Sequence, residues 1–262
     1  MTENKWAGFS QVGFDVESTG VNVWEDRIVT AALVRFDGTS RPPMKATYLA
    51  DPGVDIPAEA TAVHGITTVH AQEHGQAPAV VIAAIVDRLA YAVSQGIPIV
   101  AVNASFDLTM LEVEARRHGV PSLVERVGGA RALTPVIDPM VLEKYADPYR
   151  KVKGGCQCGC GAVDKTLTGL CLHYRIQLDD AHTADADALA GCLLWPRILH
   201  EHRHKFPGHT LASLHTSQIE WSAEQRNSLR AYFDKAGVEH DGVPLGWPLL
   251  DPPQDYLFTG VA

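Results

Sequence analysis

A chain of 262 residues is long enough for one generous α/β domain with an extension, or for two small domains. With 46% apolar and 20% charged residues it can build a packed core, which excludes a disordered or collagen-like polypeptide. The formal charge of −9 argues against a protein that coats long nucleic acid with a basic surface. It leaves room for an enzyme that grips one strand end, because carboxylates that hold divalent cations are neutralised once loaded.

The opening run MTENKWAGFSQ lacks the basic and apolar regions of a secretory signal, and the longest apolar run, 79–86, is too short to cross a bilayer. A cytoplasmic protein with no membrane partner is expected. Cysteine occurs at 156, 158, 160, 171 and 192, an odd count that makes a poor disulfide framework, so reduced thiols are expected.

Residues 11–17 alternate Val12, Phe14 and Val16 with Gly13, Asp15 and Glu17, the period-two pattern of a strand with one buried face. Ser18-Thr19-Gly20 ends it. A second strand over 27–36, the turn signal Asp37-Gly38 and a third strand over 46–50 predict an antiparallel meander. Pro78 opens a helix with Val81, Ile82, Ile85, Leu89 and Val93 at helical spacing, closed by Gly96. A buried strand over 97–102, a helix over 107–118 and a short strand at Val136 and Ile137 come next. Asp138-Pro139 starts another helix, and further helices are expected over 167–174, 182–200 and 222–236. A hairpin group followed by strand–helix alternation predicts a mixed sheet with helices on both faces.

Asp15 and Glu17 are two apart on a strand, so both side chains leave the same face. Such a pair repels, and each raises the other's pKa unless a cation lies between them; the plain alternative is the solvated face of an edge strand. Asp107 follows a buried strand and opens a helix, at a sheet end where α/β proteins place active sites, although Asp also serves there as a helix cap. His182 and Asp187 are five apart and share no face of a straight helix. They converge if His182 sits on the loop before the helix and Asp187 in its first turns. Asp185 competes with Asp187, and both also suit a charged first helical turn.

Taken together, D-x-E on the first strand, N-x-x-F-D about ninety residues on, and H-x-A-x-x-D near the domain end resemble the DEDD-type 3′→5′ exonucleases. The chain is most similar to their histidine-bearing branch, which includes the proofreading epsilon subunit of bacterial replicative polymerase. The resemblance runs over 13–199 and includes Asp15-Val16-Glu17-Ser18-Thr19-Gly20, Asp26-Arg27-Ile28-Val29, His64-Gly65-Ile66-Thr67, Asn103 to Leu108, and His182-Thr183-Ala184-Asp185-Ala186-Asp187-Ala188. It implies an RNase H-like fold, a five-stranded mixed sheet flanked by helices. It also implies that Asp15, Glu17, Asp107 and Asp187 hold two Mg²⁺ or Mn²⁺ ions, with His182 as general base and Asp187 chosen over Asp185. Thr19, Gly20, His64, Asn103 and Phe106 are the implied substrate contacts, Phe106 being equally suited to the core. Two hard cations suit oxygen ligands and supply the counter-charge that phosphodiester hydrolysis needs, and a histidine can take the water's proton.

The chain departs from that pattern at KVKGGCQCGCGAVD (151–164), a Gly- and Cys-rich insertion read as a loop. Cys156, Cys158 and Cys160, with Cys171 or His173 as a fourth donor, have the makings of a structural Zn²⁺ site, though C-x-C-x-C is not the usual knuckle spacing. An exonuclease domain is expected over 1–204. The extension, 205–262, carries Trp221, Leu229 and Phe233 in one apolar helical stripe that packs back on the domain or docks a polymerase or clamp. The expected substrate is the single-stranded or frayed 3′ end of DNA, with a DNA polymerase as partner. RNA has the same chemistry, and a contact to its 2′-OH would separate the two. A non-catalytic nucleic-acid-binding module on this fold would need none of the five residues, all of which are present. A ribonuclease H-like endonuclease would not need the histidine.

Overall fold

The computed structural model of the chain describes residues 6, 8–38, 41–150, 165–178, 182–238 and 242–253. Three antiparallel strands come first, β1 (Gln11–Ser18), β2 (Ile28–Phe36) and β3 (Met44–Leu49). Helices α1 (Ala58–His64), α2 (Thr68–His74) and α3 (Pro78–Ser94) lead to β4 (Ile99–Val100), which pairs with β1 in parallel. α4 (Ala104–Arg117) and α5 (Leu123–Val127) precede β5 (Val136–Ile137), parallel to β4. Then come α6 (Pro139–Ala146), α7 (Leu167–Tyr174), α8 (Ala184–Glu201) and α9 (Leu211–Ala236). The sheet order is β3-β2-β1-β4-β5, the mixed five-stranded sheet expected.

The two faces of β1 divide the labour. Val12, Phe14 and Val16 enter the core with the α3 stripe of Val81, Ile82, Ile85 and Leu89, burial that stabilises the fold by about 1.5–3 kcal/mol for each large side chain. The other face, Gln11, Gly13, Asp15 and Glu17, receives α8. A Cβ on Gly13 would lie 2.4 Å from the Ala188 carbonyl oxygen, so glycine is what lets α8 come this close. Pro196, inside α8, has no N–H to give the Cys192 carbonyl four residues back. Gln11 replaces it: its Nε2 donates to Cys192 O (3.2 Å) while its Oε1 accepts from Trp195 Nε1 (2.5 Å). These contacts fix where the first turn of α8 meets the end of β1.

β5 is the sheet edge, and α9 covers it with side chains. Val136 N–H donates to His215 Nδ1 (3.1 Å), Gln218 Nε2 donates to Val136 O (3.1 Å), and Asp138 N–H donates to Gln218 Oε1 (2.7 Å). Trp221 stacks on Tyr145 at 3.8 Å between ring centroids. Beyond Arg226 the helix turns outward: Leu229 and Tyr232 are exposed. Of the expected stripe, Trp221 docks fully and Leu229 does not.

The structure also differs from the sequence reading in its short elements. α1, α2 and α5 have five to seven residues and no apolar stripe for periodicity to detect. α4 begins at Ala104 rather than 107, α9 at Leu211 rather than 222, and the strand expected over 97–102 is ladder-paired only at Ile99 and Val100. The insertion 151–164, with Cys156, Cys158 and Cys160, lies outside the described residues. Among the described residues no helix is long and apolar enough to cross a membrane.

Candidate active site

The sheet splays where β1 outruns β4. Their ladder stops at Gly13↔Val100, which leaves the Val16 N–H without a strand partner on that edge. Asp107 supplies one: its Oδ1 accepts from Val16 N at 3.1 Å. Asp107 lies in the first turn of α4, yet it does not cap its helix. Asn103 holds the N-cap position in the left-handed region (φ 65°) and makes no side-chain cap bond. Asp138, at the end of β5, caps two helices at once: it accepts from Asn103 N (3.1 Å) and Ala104 N (3.0 Å) at the start of α4 and from Met140 N (2.9 Å) in its own helix, α6. Arg226 of α9 adds a bond to Ser105 Oγ (2.7 Å). Asp138 and Arg226 thus hold the turn that presents Asp107. The sequence reading used Asp138 only as a helix start, and its signal was the Asp-Pro pair at a strand end.

His182 stands on the loop before α8 with φ 68°, and Asp187 is the fourth residue of that helix, so the two converge. The His182 backbone N–H bonds the Asp187 carboxylate. Asp185 points elsewhere, paired with Lys45 Nζ of β3 at 2.7 Å. One oxygen each from Asp15, Glu17 and Asp187 lie within 4.8 Å of one another. Asp187 Oδ1 is buried with no hydrogen-bond partner among the described residues.

Electrostatics mark the same group. Part of Asp15 touches solvent, but the protein packed around it raises its pKa well above the carboxylate range, with Asp107, Asp187 and Glu17 adding to the rise. Glu17 is pushed up to about 7, by burial first and then by Asp187. Burial raises Asp107 and Asp187 too, opposed by the Val16 amide in the first case and by His182 in the second. Four acids strained in this way have the chemistry of a cation site, since a divalent ion would remove the repulsion and satisfy the orphaned Asp187 oxygen.

His64 ends α1, and Gly65 (φ 78°) turns the chain there. Its Nδ1 accepts from Ile66 N (3.1 Å), its Nε2 is buried near the Ser18 carbonyl, and burial lowers its pKa against the opposing pull of that carbonyl. With Glu17, Tyr48 and His182 it lines a cavity of about 420 Å³ beside the acids. Thr19 and Gly20 shape the β1–β2 loop: Thr19 Oγ1 donates to Asp26 Oδ1 (2.9 Å) and accepts from Arg27 N (3.0 Å). A Cβ on Gly20 would meet Asp26 Oδ2 at 2.5 Å. Asn103 is exposed and Phe106 half-buried against the core. Cys171 is a buried core residue whose thiol burial pushes up to about 11, with Asp187 adding to it. Among the described residues it joins no metal-binding group.

A parallel-strand carboxyl edge carrying these acids, on a sheet of order β3-β2-β1-β4-β5, defines the RNase H-like fold in its exonuclease form. Solved structures agree on the fold. Exonuclease I from E. coli in complex with a dT13 oligonucleotide superposes with a TM-score of 0.60 at 19% identity, over 76% of this chain and 42% of that one. Exonuclease I from Methylocaldum szegediense gives 0.57 at 21% identity, over 84% and 44%. In sequence, a PolC-type DNA polymerase III of Streptococcus pyogenes is 30% identical over 210 residues, 79% of this chain. The chain spans 12% of that relative's length. The exonuclease family called RNase T matches residues 12–194, and the chain belongs to it.

Proposed function

We propose that the chain removes nucleoside monophosphates one at a time from the single-stranded or frayed 3′ end of DNA. The observation that carries this reading is the convergence of Asp15, Glu17 and Asp187 within 4.8 Å, with Asp107 beside them. Those four residues would hold two Mg²⁺ or Mn²⁺ ions. When bound, such ions supply counter-charge for the phosphoryl and leaving 3′ oxygens and activate the attacking water. His182, kept on its loop next to Asp187, takes the proton from that water at a ring nitrogen. The cavity lined by Tyr48 and His64 receives the terminal nucleoside, and the His64 ring offers it a polar edge. Asn103 and Phe106 border the next nucleotide, and Thr19 and Gly20 act through the shape of their loop.

The curated relatives are DNA polymerases, which supports proofreading or end trimming alongside a polymerase. The test is an incubation of end-labelled single-stranded DNA, duplex DNA with a 3′ mismatch, and RNA with Mg²⁺ or Mn²⁺. Stepwise loss of the 3′ nucleotide from DNA is expected. Failure to cleave in the presence of metal, or cuts only at internal positions, refutes the reading, and preferential loss from RNA replaces DNA as substrate. For the cysteine loop, Zn²⁺ held by Cys156, Cys158 and Cys160 with a fourth donor predicts stoichiometric zinc after chelator washing. A zinc-free protein ends that idea.

A further inference from the structure

A second cavity, of about 270 Å³, lies at the other end of the sheet's carboxyl edge, between α6, the start of α7 and α9. Asn103 forms one wall, so the cavity adjoins the turn that carries Asp107, and Asp138 in the same wall is close enough to raise the Asp107 pKa. Four cations, Lys144, Arg150, Lys165 and Arg226, line it against three acids, Asp138, Glu143 and Asp147, a positive excess in a chain whose net charge is −9.

The acids there are largely committed. Asp138 is taken by three backbone amides, Glu143 pairs with Arg150 while also attracting Lys144 and Lys165, and Asp147 is the third acid in the wall. Arg226 spends its hydrogen bonds on Ser105, Ser222 and the Pro244 carbonyl, but its charge still faces Lys144. Neither Lys144 nor Lys165 forms a hydrogen bond or an ion pair within 4.0 Å among the described residues, and Lys144 is destabilised as a cation by burial and then by Lys165 and Arg226. Lys144, Lys165 and Arg226 converge on a cavity whose wall is mostly apolar, with one carboxylate, Glu143, shared among the two lysines and Arg150, a group that an anion would relieve.

We propose that this cavity binds a phosphodiester of the substrate strand on the 5′ side of the scissile bond. The inference rests on the exonuclease reading. The site follows from position: the nucleoside cavity flanks the acids on the β2–β3 side, and the cationic cavity lies on the far side, past β4 and β5. From the acids on β1 to β5 is two strand spacings, about 10 Å, which a stacked strand rising roughly 3.4 Å per nucleotide covers in about three nucleotides. A strand whose 3′ end enters beside His64 therefore crosses Asn103 and brings its next phosphates over Lys144 and Lys165.

The test uses the full chain and two substrates, the 4-nitrophenyl ester of thymidine 5′-phosphate and a single-stranded DNA decamer. The readout is the ratio of their kcat/KM values, decamer over ester. In Lys144→Gln/Lys165→Gln the ratio falls about tenfold through KM, and the slope of log KM against log salt drops by about 1. Lys144→Arg/Lys165→Arg, which keeps the charge, restores the ratio. An unchanged ratio in the glutamine variant, or equal losses on ester and decamer, overturns the subsite and leaves the exonuclease reading standing. A wild-type protein that cleaves neither substrate refutes the exonuclease reading and takes the subsite with it.

Discussion

Without metal, Glu17 should cost this protein stability as pH rises, and Glu17→Gln should remove that contribution. Glu17 is held at about 7 against an ordinary 4.5, by burial and then by Asp187. A carboxyl raised on folding contributes stability that is complete below the unfolded pKa and is lost as pH climbs through the folded one, here from about 4.5 to 7. The full displacement corresponds to about 3 kcal/mol at roughly 1.4 kcal/mol per pH unit. Glu17 is partly open to water, so screening reduces this to about 1.5 kcal/mol. At roughly 2–4 °C per kcal/mol for a chain of this size, the loss is about 3–6 °C in Tm. Burial lowers His64, His173, His202 and His215, which stabilise the fold as pH rises, so the comparison must be made between variants in which they cancel. In thermal melts with chelator, Glu17→Gln should gain on the wild type steadily between pH 5 and pH 8. With Mg²⁺ or Mn²⁺ at about 100 times Kd, the wild type should gain about 2.7 kcal/mol and overtake the variant. A variant-minus-wild-type Tm difference that is flat with pH in chelator would show that Glu17 is not in the repulsive cluster.

Three further outcomes probe the supports. Gly13→Ala places a Cβ against the Ala188 carbonyl and the Cys192 sulfur, so α8 must withdraw. Stability should fall by about 1–3 kcal/mol in urea titration, and Mn²⁺ affinity by calorimetry should fall with it; unchanged affinity would mean that α8 closeness does not set the site. Asp138→Ala leaves the Asn103, Ala104 and Met140 amides without their shared acceptor, a loss of at least about 3 kcal/mol, together with a drop in kcat as the α4 turn loosens. His182→Ala should lower kcat by about 10²–10⁴ while Mn²⁺ binding in calorimetry persists, and full activity would remove the assigned base.

Period-two alternation predicted β1 to within one residue, and the α3 stripe fixed that helix, because each buries a continuous face against the sheet. The same logic fails for α1 and α2, which bury almost nothing and exist to bring His64 over the end of β1. It fails for the start of α4 for a different reason. Asn103 in the left-handed region and a cap supplied from Asp138, 35 residues away in sequence, leave no local capping signal to read. The early start of α9 is signalled by Thr210 and its capping box with Ser213, but Ser at that position is not the Glu or Gln by which such boxes are recognised.

The site was legible as a set of residue types, and its selectivity was legible only through long-range partners. Asp185 and Asp187 are indistinguishable as first-turn acids, two residues apart on one helix. Lys45, on β3, separates them by drawing Asp185 outward, and the Lys45 bond is favourable enough to hold the Asp185 carboxyl below its usual range. Asp187 then has His182 on one side and two like charges on the other, a position that is costly for a bare carboxylate. Gly13, Gln11 and Pro196 explain why the chain tolerates that cost: the packing of α8 on β1 is set by a backbone contact and two buried amide bonds that do not depend on the acids. The carboxylates are therefore held within reach of one another by packing that is independent of their charge, which is the preorganisation a cation site requires.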